Sequence, residues 1–266
     1  APPQRKLLGQ GLARAQTLAG GDDYGSDRAG RGGHAAACGS ALPLSRQFPM
    51  CCPNFRHTAM NPLLPPPALA PIMVGPERID CPVILAPMTG VTDLPFRRMV
   101  RRFGSGLNVT EMIASPAAIR ETRQSVQKAM WDPAEDPVSM QLVGCEPAQM
   151  AEAAKLNEDR GADIIDINFG CPVKKVTRKG GGAALPYKTS LLRSIISQAV
   201  KNAEQIPITV KCRMGIDDQY LTYLDTGEIA QDEGCSAIAL HARTAAQMYS
   251  GNADWSAIRL LKNKLK

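Results

Sequence analysis

A regular alternation constrains this chain more than any other feature. Apolar runs that read as buried strands, at 83–88, 107–112, 138–143, 164–169, 208–214 and 237–242, are separated by stretches with helical periodicity. Such alternation builds βαβ units and a parallel sheet. The strand starts lie on average about 31 residues apart, and eight such units need roughly 250 residues, the size of a (β/α)8 barrel. Six fit before Lys266. An open doubly wound sheet is the alternative, but no G-x-G-x-x-G follows the first strand, which counts against a dinucleotide fold. The reading is α/β, a TIM barrel with about six of its eight βα units and a helix pattern at 260–266 cut short.

The helices carry their own signals. Thr92 is expected to cap one, with Pro95 in its opening turn, Phe96, Met99, Val100 and Phe103 on one apolar face, and Gly104 at its end. Leu192, Ile195, Ile196, Ala199, Val200 and Ala203 mark another behind Thr189 or Ser190. A shorter one spans 226–234, and Trp255, Ile258 and Leu261 begin a last.

Residues 1–62 read differently. Nine Gly stand in the first forty positions, no sustained period appears, and the natural start is expected near Met60. This segment is expected to be a disordered or spurious extension, and 63–266 a partial barrel domain whose Pro-rich lead-in, 63–76, is extended. The net charge of +6 divides unevenly: +4 falls on residues 1–59 and +2 on 60–266, so global charge is weak support for a nucleic-acid partner. Eight Cys without a C-x-x-C pair suit neither a zinc site nor a disulfide framework and point to a reducing cytoplasm. No run of eighteen apolar residues suggests a membrane span, and no secretory signal is legible. An apolar content of 44% excludes a wholly disordered chain.

In parallel barrels the chemistry gathers at the carboxyl ends of the strands. Cys171 lies there, in a Gly-Cys-Pro turn after the fourth strand. It reads either as a small buried hydrophobe or as a proton donor, since an ordinary thiol, pKa ~8.5, is mostly protonated at neutral pH. Lys211 and Arg213, two apart on one strand, share a side, and His241 and Arg243 repeat that spacing on the next. The pairs suit an anion site, unless one member of each turns to solvent. Gln141 is either a satisfied core amide or a partner for a planar heterocycle. Lys174, Lys175, Arg178 and Lys179 precede three glycines in a loop that is either simply solvated or meets phosphates; it is not a P-loop.

Together these stretches resemble the tRNA-dihydrouridine synthases, most closely the bacterial B-type branch. In family order they are Ala86-Pro87-Met88-Thr89-Gly90-Val91-Thr92-Asp93 with Phe96-Arg97; Thr110-Glu111-Met112; Gln141-Leu142-Val143-Gly144; Asp166-Ile167-Asn168-Phe169-Gly170-Cys171-Pro172-Val173-Lys174-Lys175-Val176; Thr209-Val210-Lys211-Cys212-Arg213-Met214-Gly215; and His241-Ala242-Arg243-Thr244. The Asn-x-Gly-Cys-Pro-x-x-Lys-Val run is the most specific of them.

The resemblance implies a cytoplasmic, FMN-dependent TIM barrel that reduces uridines in tRNA with electrons from NADPH, with no metal and no membrane. It implies that Pro87, Met88 and Thr89 lie along the flavin ring, that Gln141 and Lys211 bond its pyrimidine edge, and that His241 lies near the ribityl-phosphate side. Cys171 would donate the proton and Asn168 would orient the uracil. Lys174, Lys175, Arg178, Arg213 and Arg243 would meet the RNA backbone. Ala242 stands where the family usually has Gly, and the family's last two strands and helical tRNA-binding domain have no counterpart before Lys266. The chain by itself is accordingly expected to hold flavin poorly. Three alternatives stay open: an FMN barrel acting on a free pyrimidine, a Schiff-base enzyme using Lys211, and a non-catalytic fragment.

Overall fold

The computed structural model describes residues 69–266. The extension expected over 1–62, the boundary after it and residues 63–68 of the lead-in lie outside the described residues. From Ile72 the chain is not a simple extended lead-in. It forms a hairpin, β1 (Ile72–Val74) against β2 (Glu77–Ile79). Gly75 turns it at φ +58°, and a Cβ there would sit 3.0 Å from both the Pro207 Cβ and the Ser236 Oγ. Val74 and Ile79 then pack on Leu107, Ile164 and Ala237, closing the amino-terminal ends of the sheet with apolar side chains.

Six parallel strands follow in the order β3 (Ile84–Leu85), β4 (Leu107–Val109), β6 (Val138–Val143), β7 (Ile164–Phe169), β8 (Ile208–Arg213) and β9 (Ala237–His241). A two-residue β5 (Ile113–Ala114) also pairs with β6. The path stays open between β3 and β9, so the fold is an incomplete barrel, as the spacing predicts. The first two strands are shorter than expected. Pro87 can donate nothing to a ladder, and the chain turns at once, with Val91 and Thr92 both donating to the Met88 carbonyl.

Strand parity separates two environments. One face carries Met140, Leu142, Ile165, Ile167, Phe169, Ile208, Val210 and Cys212, all buried against helices that include α4 (Pro147–Asp159) and α6 (Thr189–Asn202). Leu192, Ile195, Ile196 and Ala199 of α6 supply the facing stripe, each fully buried. Each of the Leu and Ile side chains contributes about 1.5–3 kcal/mol by leaving water. The opposite face is polar: Ser139, Gln141, Asp166, Asn168, Thr209, Lys211, Arg213 and His241. Packing the apolar face fixes the register of the polar one.

The first long helix, α1 (Leu94–Arg102), departs from expectation at both its cap and its apolar face. Asp93, not Thr92, accepts the Phe96 N–H at 3.0 Å; the Thr92 hydroxyl instead accepts from the Met88 N–H at 3.0 Å. The apolar face of Phe96, Met99 and Phe103 is exposed, Phe103 to 85%. The helix is anchored by a buried cation. Arg97 donates from Nε to Glu135 at 2.8 Å, from Nη1 to the Thr92 carbonyl at 2.9 Å and from Nη2 to the Met130 carbonyl at 2.7 Å. Gly104 does end the helix, at φ +95°. On α6, Lys188 rather than Thr189 or Ser190 occupies the capping position, with no side-chain bond. The helix expected over 226–234 is α7 (Tyr223–Asp232), and α8 (Trp255–Lys264) comes last.

Candidate active site

The central strands build one connected set of hydrogen bonds on the polar face. Gln141, Asp166 and Thr209 stand level across β6, β7 and β8, with Asn168 and Lys211 one level nearer the carboxyl ends. Asp166, buried, accepts from Gln141 Nε2 at 2.6 Å and from Thr209 Oγ1 at 2.7 Å. Gln141 Oε1 in turn accepts from Asn168 Nδ2 at 2.9 Å. Asn168 Oδ1 accepts from the backbone N–H of Gly170 at 3.0 Å and of Cys171 at 2.8 Å. Three side chains, Asp166, Gln141 and Asn168, thus lead without a gap from a buried carboxylate to the turn carrying the thiol.

That turn is fixed from other sides too. The Cys171 carbonyl accepts from the Ala183 N–H at 3.0 Å. Gly182, at φ +58°, passes so close that a Cβ would lie 2.5 Å from the same carbonyl oxygen, so only glycine fits. Arg213 Nε donates to the Gly170 carbonyl at 3.1 Å, while its Nη1 donates to Thr244 at 3.0 Å and to Met248 at 2.8 Å. Its guanidinium also lies 5.6 Å from the centre of the Tyr249 ring. Cys171 itself is half-buried and unbridged; Cys212, also unbridged, is fully buried on the apolar face, where burial pushes its thiol up to about 12.

Positive charge gathers beside this turn. Burial pushes Lys211 below the usual amine range, opposed by the Asp166 charge; burial pushes Asp166 up, opposed by its two donors and by Lys211. His241 is lowered to about 4, by burial first and then by the charges of Arg213, Lys211 and Arg243. It is therefore neutral at pH 7. Arg243 Nη1 lies 3.4 Å from His241 Nε2 and Nη2 donates to the Gly251 carbonyl at 2.9 Å, but its Nε is buried without a partner. Three cations, a neutral imidazole and an orphaned donor make a place suited to an anion.

The segment of Pro87, Met88 and Thr89 follows β3 and is pinned by Thr92 and by Glu111, whose carboxylate accepts the Gly90 N–H. Lys174 and Lys175 do not lie in an irregular loop; they begin a one-turn helix, α5 (Lys174–Thr177). With Arg178 and Lys179 they are exposed. Ala242 is buried, its carbonyl accepting from the Asp254 N–H at 2.8 Å. The site thus brings together Gln141, Asn168, Cys171 and Lys211, with Arg213, His241 and Arg243 beside them. Sequence reasoning missed Asp166, Thr209 and Glu111 as participants. For the first two the signal was available: each is two residues before a singled-out position on the same strand.

Among the described residues no group of three His, Cys, Asp or Glu side chains could hold a metal ion, and no helix is long and apolar enough to cross a membrane.

Comparison with known proteins identifies the family. The family model described as dihydrouridine synthase matches residues 84–266. The chain belongs to the dihydrouridine synthase family. A probable tRNA-dihydrouridine synthase of Rickettsia bellii is 52% identical over 197 residues, covering 73% of this chain and 60% of that protein. One from Mycobacterium tuberculosis is 46% identical over 212 residues, 76% of this chain and 54% of that protein. The tRNA-dihydrouridine synthase B of Xanthomonas campestris is 44% identical over 195 residues, 73% and 58% of the two. The chain thus spans about 60% or less of the length of these dihydrouridine synthases. Among solved structures, a variant of NCR from Zymomonas mobilis gives a TM-score of 0.46 at 13% identity, over 74% of this chain and 75% of that one.

Proposed function

We propose that this chain is the catalytic barrel portion of a tRNA-dihydrouridine synthase, which reduces the C5=C6 bond of uridines in tRNA with FMN as cofactor and NADPH as electron source. The observation that carries the reading is the convergence of a half-buried thiol, two ordered amides and a cation cluster at the carboxyl ends of β6 to β9. The residues fit the cofactor. Gln141 and Lys211 offer a donor set for the pyrimidine edge of a flavin, and the orphaned Arg243 Nε with neutral His241 suits a ribityl phosphate. Pro87, Met88 and Thr89 would lie along the ring.

Bound there in reduced form, FMN would supply hydride to C6 of the base. The chain's own residues do the rest. As charge develops toward O4 of the uracil, the Cys171 thiol delivers a proton to C5. Asn168 holds the turn that aims the thiol. Its remaining amide N–H, near Met112 Sδ at 3.8 Å between the heavy atoms, is what it can offer the base. Lys211 provides positive charge where an electron-rich ring edge needs it. A stacked uridine cannot reach this depth, so it must be flipped out, which costs a few kcal/mol. Exposed Lys174, Lys175 and Arg178 offset that cost through phosphate contacts, while Arg243, also expected at the RNA backbone, turns to the cofactor phosphate in this proposal. Arg213 has its donors engaged by carbonyls, and in this proposal it braces the thiol turn. A cytoplasmic setting, where tRNA and NADPH meet, belongs to the same proposal.

The test is direct. The product of the complete gene, purified with FMN, should be yellow and should convert unmodified tRNA to a product with two added hydrogens per modified uridine when NADPH is supplied. Reduction of free uracil derivatives but not tRNA, or a protein that retains no flavin, would overturn the proposal.

A further inference from the structure

Asp166 touches neither the Cys171 turn nor the exposed rim, yet it is a buried carboxylate on the polar face, 5% exposed. Its two oxygens are both occupied, by Gln141 at 2.6 Å and Thr209 at 2.7 Å. The Gln141 bond has a directional consequence. A carboxylate can only accept, so the Gln141 side chain must present its NH2 to Asp166 and its carbonyl oxygen to the next residue. That oxygen then requires a donor, which forces Asn168 to turn its own NH2 toward Gln141, at 2.9 Å. Asn168 is left with its oxygen aimed at the backbone N–H groups of Gly170 and Cys171. One carboxylate thereby decides the orientation of two amides, each of which would otherwise have two nearly isosteric states.

We propose that Asp166 is a positioning residue that fixes the proton-donating thiol, acting through Gln141 and Asn168. The inference rests on the assignment of Cys171 as proton donor. Without Asp166, the Gln141 amide can rotate, Asn168 loses its fixed polarity, and the turn loses the acceptor that holds Gly170 and Cys171. Asp166 also neutralises part of the Lys211 charge, so its removal must be split into charge and direction. Asp166→Asn makes that split. The Asn oxygen can still accept from Gln141 while its NH2 donates to the Thr209 hydroxyl, so direction survives and charge does not.

The first readout needs no flavin. In the Asp166→Ala protein, amide hydrogen exchange at Gly170 and Cys171 should speed up by about tenfold or more, with the amides of β6 to β8 unchanged, and Asp166→Asn should stay within about threefold of the parent. The second is single-turnover uridine reduction by pre-reduced enzyme. Asp166→Ala should be slower by about tenfold, Asp166→Asn should recover to within about threefold, and Asp166→Ala should add nothing further on top of Cys171→Ala. If Asp166→Ala prevents folding, Thr209→Val, which removes only the hydroxyl that steadies the carboxylate, should give a smaller change of the same pattern. Losses that multiply with those of Cys171→Ala, or an Asp166→Asn protein as impaired as Asp166→Ala, would overturn the relay. Should Cys171→Ala alone leave uridine reduction undiminished, the proton-donor assignment itself fails, an outcome distinct from failure of the relay.

Discussion

Strands β6 and β7 are buried at all six positions each, whereas β3 is only two residues long and β9 has no fully buried residue. The helices follow the same division. Against the central strands, α6 presents four fully buried apolar side chains. At the ends of the sheet, α1 exposes Phe96, Met99 and Phe103, and α8 exposes Trp255, Ile258 and Leu260. The centre is thus held by apolar packing, and α1 is held by a polar bolt, Arg97 with Glu135. The hydrogen-bonded amides that define the site occur only where the opposite face of the sheet is packed. Ordering two amides and a turn costs conformational freedom, and a close-packed wall behind the strands keeps that cost low.

Mutations can break or sharpen this contrast. Phe169→Ala, in the packed wall, should cost about 3–5 kcal/mol of stability in chemical denaturation. Phe103→Ala on the exposed face should change it by less than about 0.5 kcal/mol. Equal costs would erase the distinction between centre and end. Arg97→Met should cost about 3–5 kcal/mol, because Glu135 is left charged and buried without its partner. Adding Glu135→Leu should return part of that loss. If it does not, the bolt is held by its carbonyl contacts rather than by the ion pair.

A further effect concerns pH. His241 titrates near 4 in the folded chain against an unfolded value near 6.5. Between those values the unfolded chain binds more protons, so stability should fall as pH drops from about 6.5 toward about 4. His241→Gln should flatten that part of the profile. An imidazole NMR titration with its midpoint near 6.5 would contradict the cation cluster.

Much of this was legible in the chain because apolar runs and their spacing follow directly from burial on a parallel sheet. The strands at 138–143 and 164–169 appear with the expected bounds. Helix α1 was misread in part because amphipathic spacing says which residues share a face, not whether another element covers it. Its true anchor, Arg97, finds its carboxylate in Glu135, far along the chain, where no local pattern points. Lys211 and Arg213 were correctly expected on one side, yet their fates diverge. Lys211 stays near Asp166, whereas Arg213 is absorbed by the Gly170 carbonyl and by two carbonyls, of Thr244 and Met248, that a turn far along the chain brings to it. Asp166 shares strand parity with Asn168 and so could be placed on the polar face, but the two donors that satisfy it come from neighbouring strands, which no local pattern reveals.

The most direct test of the account separates the two half-reactions in a Cys171→Ala variant of the complete protein. Reduction of the flavin by NADPH should proceed at the parent rate, while transfer to tRNA uridine should slow by about a hundredfold or more. Equal slowing of both steps, or of neither, would contradict the role assigned to this thiol.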